Sequence, residues 1–237
     1  MRWRFRCDLS SCATLTSLLA AVAAGSALAA PGSSTATARI GRYLMASEAR
    51  EVALARSAAP LSISAHATIM VLSSRGYVIA ARGDNGFVCL VTRSWDNTPD
   101  VSRTRFWDPR FRAPYCFNAT AVRSVLHRYL MRTRWVLGGA SRHEIGDRDK
   151  AAWATGRLKE PAPGAMSYMM SKGGRQIGGQ PGPWRPHLMF YFPRARTPDW
   201  GANLAGNPVV ANADEDIAVF YVPVPVWSDG SPAPAFR

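Results

Sequence analysis

Three short β-prone segments, separated by turn residues, constrain the fold of this chain more than any other feature. They span residues 67–72, 77–81 and 87–92. A Ser-Ser-Arg-Gly stretch separates the first two, and Asp-Asn-Gly at 84–86 separates the last two. Asn-Gly between two such runs is the strongest short signal for a β-hairpin. The sequence therefore predicts a three-stranded antiparallel meander.

Helical patterns precede and follow these segments. Residues 42–57 are rich in Ala, Glu and Arg, which favour helix. Asn118 is placed to cap a second helix that runs to about residue 137. Ser141 and Glu144 have the spacing of a capping box, in which the serine hydroxyl and the glutamate carboxylate satisfy each other's backbone N–H groups. A third helix is therefore predicted to begin there.

Three further strands are predicted, at 165–170, 187–192 and 217–222. Runs of strands followed by runs of helices are typical of α+β proteins. We therefore predict an α+β fold, with a mostly antiparallel sheet and two or three helices packed on one of its faces.

The N-terminus has the pattern of a secretory signal peptide. Three arginines lie within the first six residues, a small apolar run covers 13–24, and Ala-Leu-Ala occupies 27–29. A membrane anchor is the alternative, but the run is shorter and less apolar than the roughly 20 residues that a membrane span needs. We predict cleavage after residue 29.

The rest of the chain is predicted to be one exported domain. Residues 30–41 are small and polar, as in a disordered tail, and 42–237 have the length of a single α+β domain. The expected location is secreted or periplasmic, with no stable membrane insertion after cleavage. The sequence does not distinguish the periplasm from the extracellular space, and it leaves the oligomeric state open.

Two of the four cysteines, Cys89 and Cys116, remain after the predicted cleavage. An even pair of cysteines in an exported chain indicates a disulfide. Two buried thiols are the alternative. The chain has no Cys-x-x-Cys or His-x-x-x-His spacing that would indicate a metal site, and we predict neither a metal nor a cofactor.

The charge distribution indicates a contact surface. The chain carries 29 Lys and Arg against 16 Asp and Glu, a net charge of +13. Residues 93–134 hold nine Arg against three Asp, with aromatic residues interleaved. Arginine beside aromatic rings can bind anionic polymers and sugars through charge and stacking. The residues predicted to bind a ligand are Arg105, Trp107, Arg110, Arg112 and Trp184.

The expected ligand is an acidic polymer or glycan of the cell envelope. An exported protein without a nucleic-acid-binding motif is not expected to bind nucleic acid. The alternative is that the aromatic residues of 93–134 pack the segment onto the sheet and that its arginines only solubilise it. A separate alternative is a protein docking patch formed by Met131 and Trp135 on the second helix.

A second hypothesis is an enzyme, a hydrolase or transferase that acts on an envelope substrate. His187 begins a predicted strand next to the glycine-rich stretch 171–186, which could act as a lid. Ser167 and Tyr168 lie on the predicted partner strand, so the three residues form the candidate catalytic set, with His187 as acid and base. The alternative is a strand-end histidine that bonds to a backbone carbonyl.

Five stretches of the chain carry a resemblance, at 51–60, 85–91, 113–118, 164–171 and 186–191. Together they resemble a group of predicted secreted bacterial proteins with no assigned activity, over roughly 42–208. The resemblance implies export and a single domain. It implies no catalytic or binding residue. The leading prediction, which rests on the arginine and aromatic segment, is an exported binding or accessory protein.

Overall fold

The computed structural model describes residues 40–96, 106–175, 185–211 and 216–234. Within these ranges the chain forms one eight-stranded sheet in the order β2-β1-β3-β4-β5-β6-β8-β7. The strands are β1 (Thr68–Ser73), β2 (Gly76–Ala81), β3 (Val88–Thr92), β4 (Ala113–Phe117), β5 (Met166–Met169), β6 (His187–Pro193), β7 (Val209–Ala211) and β8 (Ile217–Pro223).

The helices of the described ranges pack against this sheet, so the predicted α+β class is confirmed. None of them is long and apolar enough to cross a membrane. They are α1 (Glu48–Arg56), α2 (Leu61–Ser64), α3 (Ala119–Ser124), α4 (Leu126–Leu137) and α5 (Arg142–Ala154).

The local signals for helix ends are confirmed. Asn118 caps α3 by accepting from the N–H of Ala121, and the capping box of Ser141 and Glu144 begins α5. The single helix expected after Asn118 is instead two helices, because the regular pattern is interrupted at Val125.

The predicted meander is wrong at its third strand. β1 and β2 form the expected antiparallel hairpin. However, β3 pairs with β1, not with β2, and runs parallel to it, with Thr68 opposite Val88 and Ile69 opposite Cys89. β2 therefore lies at one end of the sheet order, and β1 lies between β2 and β3.

The physical reason lies in the Asp-Asn-Gly stretch, which crosses the start of β1 without turning back on β2. The N–H of Asp84 donates to the carbonyl of His66 at 3.0 Å, and the N–H of Thr68 donates to Phe87 at 2.9 Å. A Cβ atom at Gly83 would lie 2.2 Å from the same His66 oxygen. Glycine at 83 therefore permits a close backbone crossing, which a two-residue hairpin signal does not reveal.

The two faces of the sheet are covered by different helices. Leu90 and Phe117 pack with residues of α3 and α4. Val91 and Cys116 point to the opposite face, because side chains alternate along a strand, and they pack with Ala55 of α1. The helices that follow β4 thus share one face as predicted, and α1 covers part of the other.

The described part of the domain begins before the predicted boundary at residue 42. Ile40 was expected in the disordered tail, but only 1% of its surface is exposed, because it packs with Tyr43, Leu72 and Trp95. The predicted signal peptide and residues 30–39 lie outside the described residues.

The predicted disulfide between Cys89 and Cys116 is confirmed. The two cysteines are directly opposite each other on the neighbouring strands β3 and β4, and both are fully buried beneath α1. The bridge therefore links two strands in the interior of the sheet.

Candidate functional site

Three arginines of the segment 93–134 point into the protein, whereas Arg110, Arg123 and Arg134 are exposed. Arg93, at the end of β3, has a fully buried side chain. Its Nη2 donates to Oε1 of Glu51 on α1 at 2.8 Å, its Nε donates to the carbonyl of Tyr43 at 2.9 Å, and its Nη1 donates to the carbonyl of Val91. Glu51 also accepts from the backbone N–H of Leu72 at 2.9 Å. Arg93 thus ties α1 to the sheet.

Two more arginines of the segment converge on one buried carboxylate. Arg128 and Arg132, on α4, both donate to Oδ2 of Asp149 on α5, the first through Nη2 at 2.8 Å and the second through Nε at 3.0 Å. Burial alone would raise the pKa of Asp149, but the two guanidinium groups outweigh it and lower the pKa. We call Arg128, Arg132 and Asp149 the buried ionic triad.

Asp96 is a second buried carboxylate, in the short 3-10 turn Ser94–Asp96. Its Oδ2 accepts from the backbone N–H of Arg93 at 2.9 Å and from the Tyr77 hydroxyl at 3.5 Å. Burial outweighs these bonds and the nearby Arg132, and it raises the pKa of Asp96 to about 7. Asp96 therefore titrates near neutral pH, unlike the carboxylate of the triad.

The aromatic residues of the segment are also mostly interior. Trp95, Phe106, Phe111 and Tyr115 are buried, and the indole N–H of Trp95 donates to the Thr133 hydroxyl at 3.0 Å. These four rings therefore pack in the interior, which was the alternative to a contact surface.

The predicted ligand-binding residues occupy different environments. Arg110 is exposed and pairs with Asp108 at 3.2 Å. Arg112 donates to the carbonyls of Tyr43, Pro109 and Phe111, so its guanidinium is engaged within the protein. Trp107 is half-buried, edge-on against Phe106 at 4.7 Å between ring centroids. Arg105 and Trp184 lie outside the described residues. The three residues that the structure describes each have a different partner: Phe106 for Trp107, Asp108 for Arg110 and Tyr43 for Arg112.

The candidate catalytic residues Ser167 and Tyr168 point to opposite faces of the sheet, because they are consecutive in β5. The hydroxyl of Ser167 is fully buried and shares a 2.7 Å hydrogen bond with the Tyr191 hydroxyl. Tyr168 is half-buried on the other face, with its ring centroid 6.2 Å from that of Phe87. One cleft cannot present both side chains to a substrate.

His187 lies at the start of β6, on the same face as Ser167. Its Nδ1 donates to the carbonyl of Arg185 at 2.7 Å, which is the bond expected of a structural strand-end histidine. Its ring lies 5.3 Å from that of Tyr221. Burial lowers the pKa of His187, although the bond to Arg185 acts in the opposite direction.

Met131 and Trp135, the alternative docking patch on α4, do not form an exposed surface. Met131 is buried beneath α5, where it packs with Ala152 and Leu158. Trp135 is half-buried and packs against the same cluster. These contacts make both residues part of the interface between α4 and α5.

A different set of aromatic residues forms the most distinctive surface in the described part of the chain. Phe190 and Phe192 on β6 and Phe220 on β8 point to the same face of the sheet. Trp200, in the 3-10 turn Pro198–Trp200, stacks on Phe192 at 5.5 Å and lies 6.2 Å from Phe220. We call these four residues the aromatic face.

The aromatic face lies on the side of the sheet that α1 covers elsewhere. α1 packs against β1, β3 and β4. The described elements that pack most extensively on β6 are its neighbouring strands β5 and β8. The three phenylalanines are half-buried, and 52% of the Trp200 surface is exposed. Exposed apolar residues usually occur singly on protein surfaces, whereas a contiguous apolar patch is a feature of binding surfaces. Trp200 extends the row of phenylalanine rings into such a patch.

Two basic residues lie in the chain between Phe192 and Trp200, two members of the aromatic face. Arg194 and Arg196 lie in the 3-10 turn Arg194–Arg196, directly between β6 and Trp200. Arg196 is largely exposed and lies 3.8 Å from Asp199, a long contact for an ion pair. The backbone of Trp200 is fixed on both sides, because its N–H donates to Thr197 and its carbonyl accepts from the Asn207 side chain at 2.8 Å.

Sequence reasoning missed this surface, although part of the signal is visible. Phenylalanine alternates along β6 at 190 and 192, which places both rings on one face of a strand. The contribution of Trp200 depends on the turn that folds back over the sheet, and no periodicity indicates it. Across the described ranges, no three His, Cys, Asp or Glu side chains lie close enough to hold a metal ion.

Comparison of the chain with protein-family models, with curated proteins and with solved structures found no match. The resemblance to predicted secreted bacterial proteins therefore stays a prediction. The interpretation of the aromatic face as a binding surface rests on its geometry alone.

Proposed function

We propose that this chain is an exported binding protein that holds an acidic glycan of the cell envelope on the aromatic face. The observation that carries the proposal is the exposed Trp200, stacked on Phe192 next to Phe220, with Arg194 and Arg196 in the preceding turn. The ligand class is the one predicted from the sequence, an acidic glycan. The proposed contact lies on β6, β8 and the turns after β6, and not on residues 93–134.

The chemistry of this surface suits a sugar polymer with carboxylate or sulfate groups. The flat C–H faces of sugar rings can pack on aromatic rings, where they remove apolar surface from water. Guanidinium groups pair with carboxylate or sulfate oxygens through two parallel hydrogen bonds. An aromatic row with arginine in the turn before Trp200 offers both interactions to one extended ligand.

Export is supported by two features. The first is the signal-peptide pattern of the sequence. The second is the disulfide between Cys89 and Cys116, a bond typical of oxidising compartments. The enzyme hypothesis has less support, because Ser167 is fully buried and Tyr168 points to the opposite face.

Removing the exposed ring is expected to weaken glycan binding strongly. Trp200→Ala should reduce the affinity for heparin oligosaccharides about tenfold, because loss of one aromatic platform costs about 1–3 kcal/mol. Arg196→Ala should also weaken binding and reduce its dependence on salt. Titration calorimetry at low and high salt measures both effects. Arg110→Ala, an exposed arginine in the originally predicted segment, is the matched control and should leave the affinity unchanged.

A charged polymer without sugar rings separates stacking from charge alone. Polyglutamate should bind more weakly than heparin, and Trp200→Ala should not alter its binding. The proposal is contradicted if Arg110→Ala weakens heparin binding more than Trp200→Ala and Arg196→Ala do. Trp200→Phe, which keeps an aromatic ring, should restore most of the affinity and excludes a general loss of folding.

A further inference from the structure

The turn that carries Trp200 continues into an exposed loop of low polarity, residues 198–208, which we call the apolar loop. Leu204 exposes 65% of its surface and Trp200 exposes 52%. The two residues are neighbours in space, because a Cβ atom at Gly201 would lie 3.2 Å from Cδ1 of Leu204. The sequence has no charged residue from 200 to 212, in a chain of which 19% is charged. The loop therefore exposes two large apolar side chains, with Asp199 as its one charged residue.

The backbone polar groups of these two residues are bonded within the protein. The N–H of Trp200 donates to the carbonyl of Thr197 at 3.1 Å, and its carbonyl accepts from Nδ2 of Asn207 at 2.8 Å. The N–H of Leu204 donates to the carbonyl of Gly201 at 3.2 Å, and its carbonyl accepts from the N–H of Asn207 at 3.0 Å. A polar group that leaves water without a partner is costly. Trp200 and Leu204 can therefore enter an apolar environment without losing backbone hydrogen bonds.

The two asparagine side chains of the apolar loop are also engaged within the protein. Oδ1 of Asn207 accepts from the N–H of Val209 at 2.7 Å. Asn203 accepts from the N–H of Ala211 at 3.1 Å and donates to the carbonyl of the same residue. These bonds hold the loop on β7. The apolar side chains are therefore presented by an ordered loop, so a partner does not have to order it on binding.

The size and the charge of this surface favour a lipid bilayer as the partner. A stable protein interface buries about 800 Å² on each side, whereas the apolar loop exposes two large apolar side chains. A bilayer surface needs only a shallow insertion, with tryptophan at the level of the headgroups and leucine at the boundary of the acyl chains. Arg194 and Arg196 lie in the preceding turn, and the chain as a whole is basic. Basic residues near the surface are attracted to anionic headgroups.

We propose that the apolar loop docks this protein on the surface of a bilayer that contains anionic phospholipids. Leu204 enters the boundary of the acyl chains, Trp200 lies among the headgroups, and Arg196 pairs with a lipid phosphate. This contact is peripheral and does not span the membrane. It does not rest on glycan binding, because Leu204 is not part of the aromatic face.

The test is co-sedimentation of the mature chain, residues 30–237, with vesicles of phosphatidylglycerol and phosphatidylcholine in equal amounts. The mature chain is used because the predicted signal peptide would itself bind lipid. We expect Leu204→Ser to weaken binding about fivefold to tenfold, because less apolar surface leaves water. Leu204→Trp should strengthen binding about threefold, a gain that misfolding does not produce. Leu61→Ser, at an exposed leucine outside the loop, is the matched control and should bind like the wild type.

Two further measurements separate this contact from other forms of binding. Vesicles of phosphatidylcholine alone should bind about tenfold more weakly, because they offer no net negative charge to the basic chain. Leu204→Ser should leave heparin binding unchanged, since Leu204 lies outside the aromatic face. Failure of this proposal and failure of the glycan proposal are therefore distinguishable.

Two results overturn the proposal. The first is equal binding of anionic vesicles by the wild type, Leu204→Ser and Leu204→Trp, because it would show attraction by charge alone. The second is a wild-type chain that does not bind anionic vesicles. If that chain also forms dimers that Leu204→Ser dissociates, the apolar loop is a protein interface instead.

Discussion

Replacement of Asp149 by alanine is expected to lower the free energy of unfolding by about 3–5 kcal/mol, because it leaves two buried cations without a counter-charge. Arg128 and Arg132 both donate to the same carboxylate oxygen, and all three side chains are buried. Asp149→Asn should have most of the same effect, since it removes the charge and keeps the shape. Urea denaturation at pH 7 measures both variants.

Asp147→Ala is the control for this prediction. Asp147 lies on the same helix, but it is exposed and contacts only His143 at 3.0 Å in the described ion pairs, so its removal should cost less than about 0.5 kcal/mol. Because the pKa of Asp149 is lowered in the folded protein, its contribution is present above the ordinary value of 3.8 and is lost as the pH falls through the folded pKa. Equal costs for Asp149→Asn and Asp147→Ala at pH 7 would contradict a stabilising role for the triad.

Removal of the disulfide is the second large effect. The double variant Cys89→Ala/Cys116→Ala is expected to lose about 3 kcal/mol of stability, because the open chain gains conformational entropy when it unfolds. The bridge closes a sequence separation of 27 residues. Alanine is the suitable replacement, since both positions are fully buried and a serine hydroxyl would need a partner there.

Reduction provides the matched comparison. Dithiothreitol should lower the melting temperature of the wild-type protein towards that of the double variant and should leave the double variant unchanged. A double variant as stable as the oxidised wild type would show that the bridge does not stabilise the domain. Reaction of the mature protein, residues 30–237, with thiol reagents before reduction would show that the bridge does not form.

Local features of the fold could be predicted from the sequence because short stretches of chain determine them. The cap at Asn118, the capping box at Ser141 and the β1–β2 hairpin depend on a few neighbouring residues each. The pairing of Cys89 with Cys116 followed from counting, since only two cysteines remain after the predicted cleavage.

Long-range features could not be predicted in the same way. The parallel pairing of β1 with β3 depends on the backbone crossing at Gly83, where the Asn-Gly signal indicates a hairpin. The burial of Arg93 depends on Glu51, which lies 42 positions away in the sequence. A count of arginines could therefore not distinguish buried arginines from exposed ones. The aromatic face depends on β6 and β8 lying side by side and on the turn that carries Trp200 over them.

The most direct test of the proposed glycan site is hydrogen–deuterium exchange measured by mass spectrometry, with and without a heparin oligosaccharide. Bound ligand should slow exchange in peptides that cover β6, the turns up to Trp200 and β8, and should leave the segment 106–112 unchanged. Protection confined to 106–112, with none in β6, β8 or the turns between them, would contradict binding at the aromatic face.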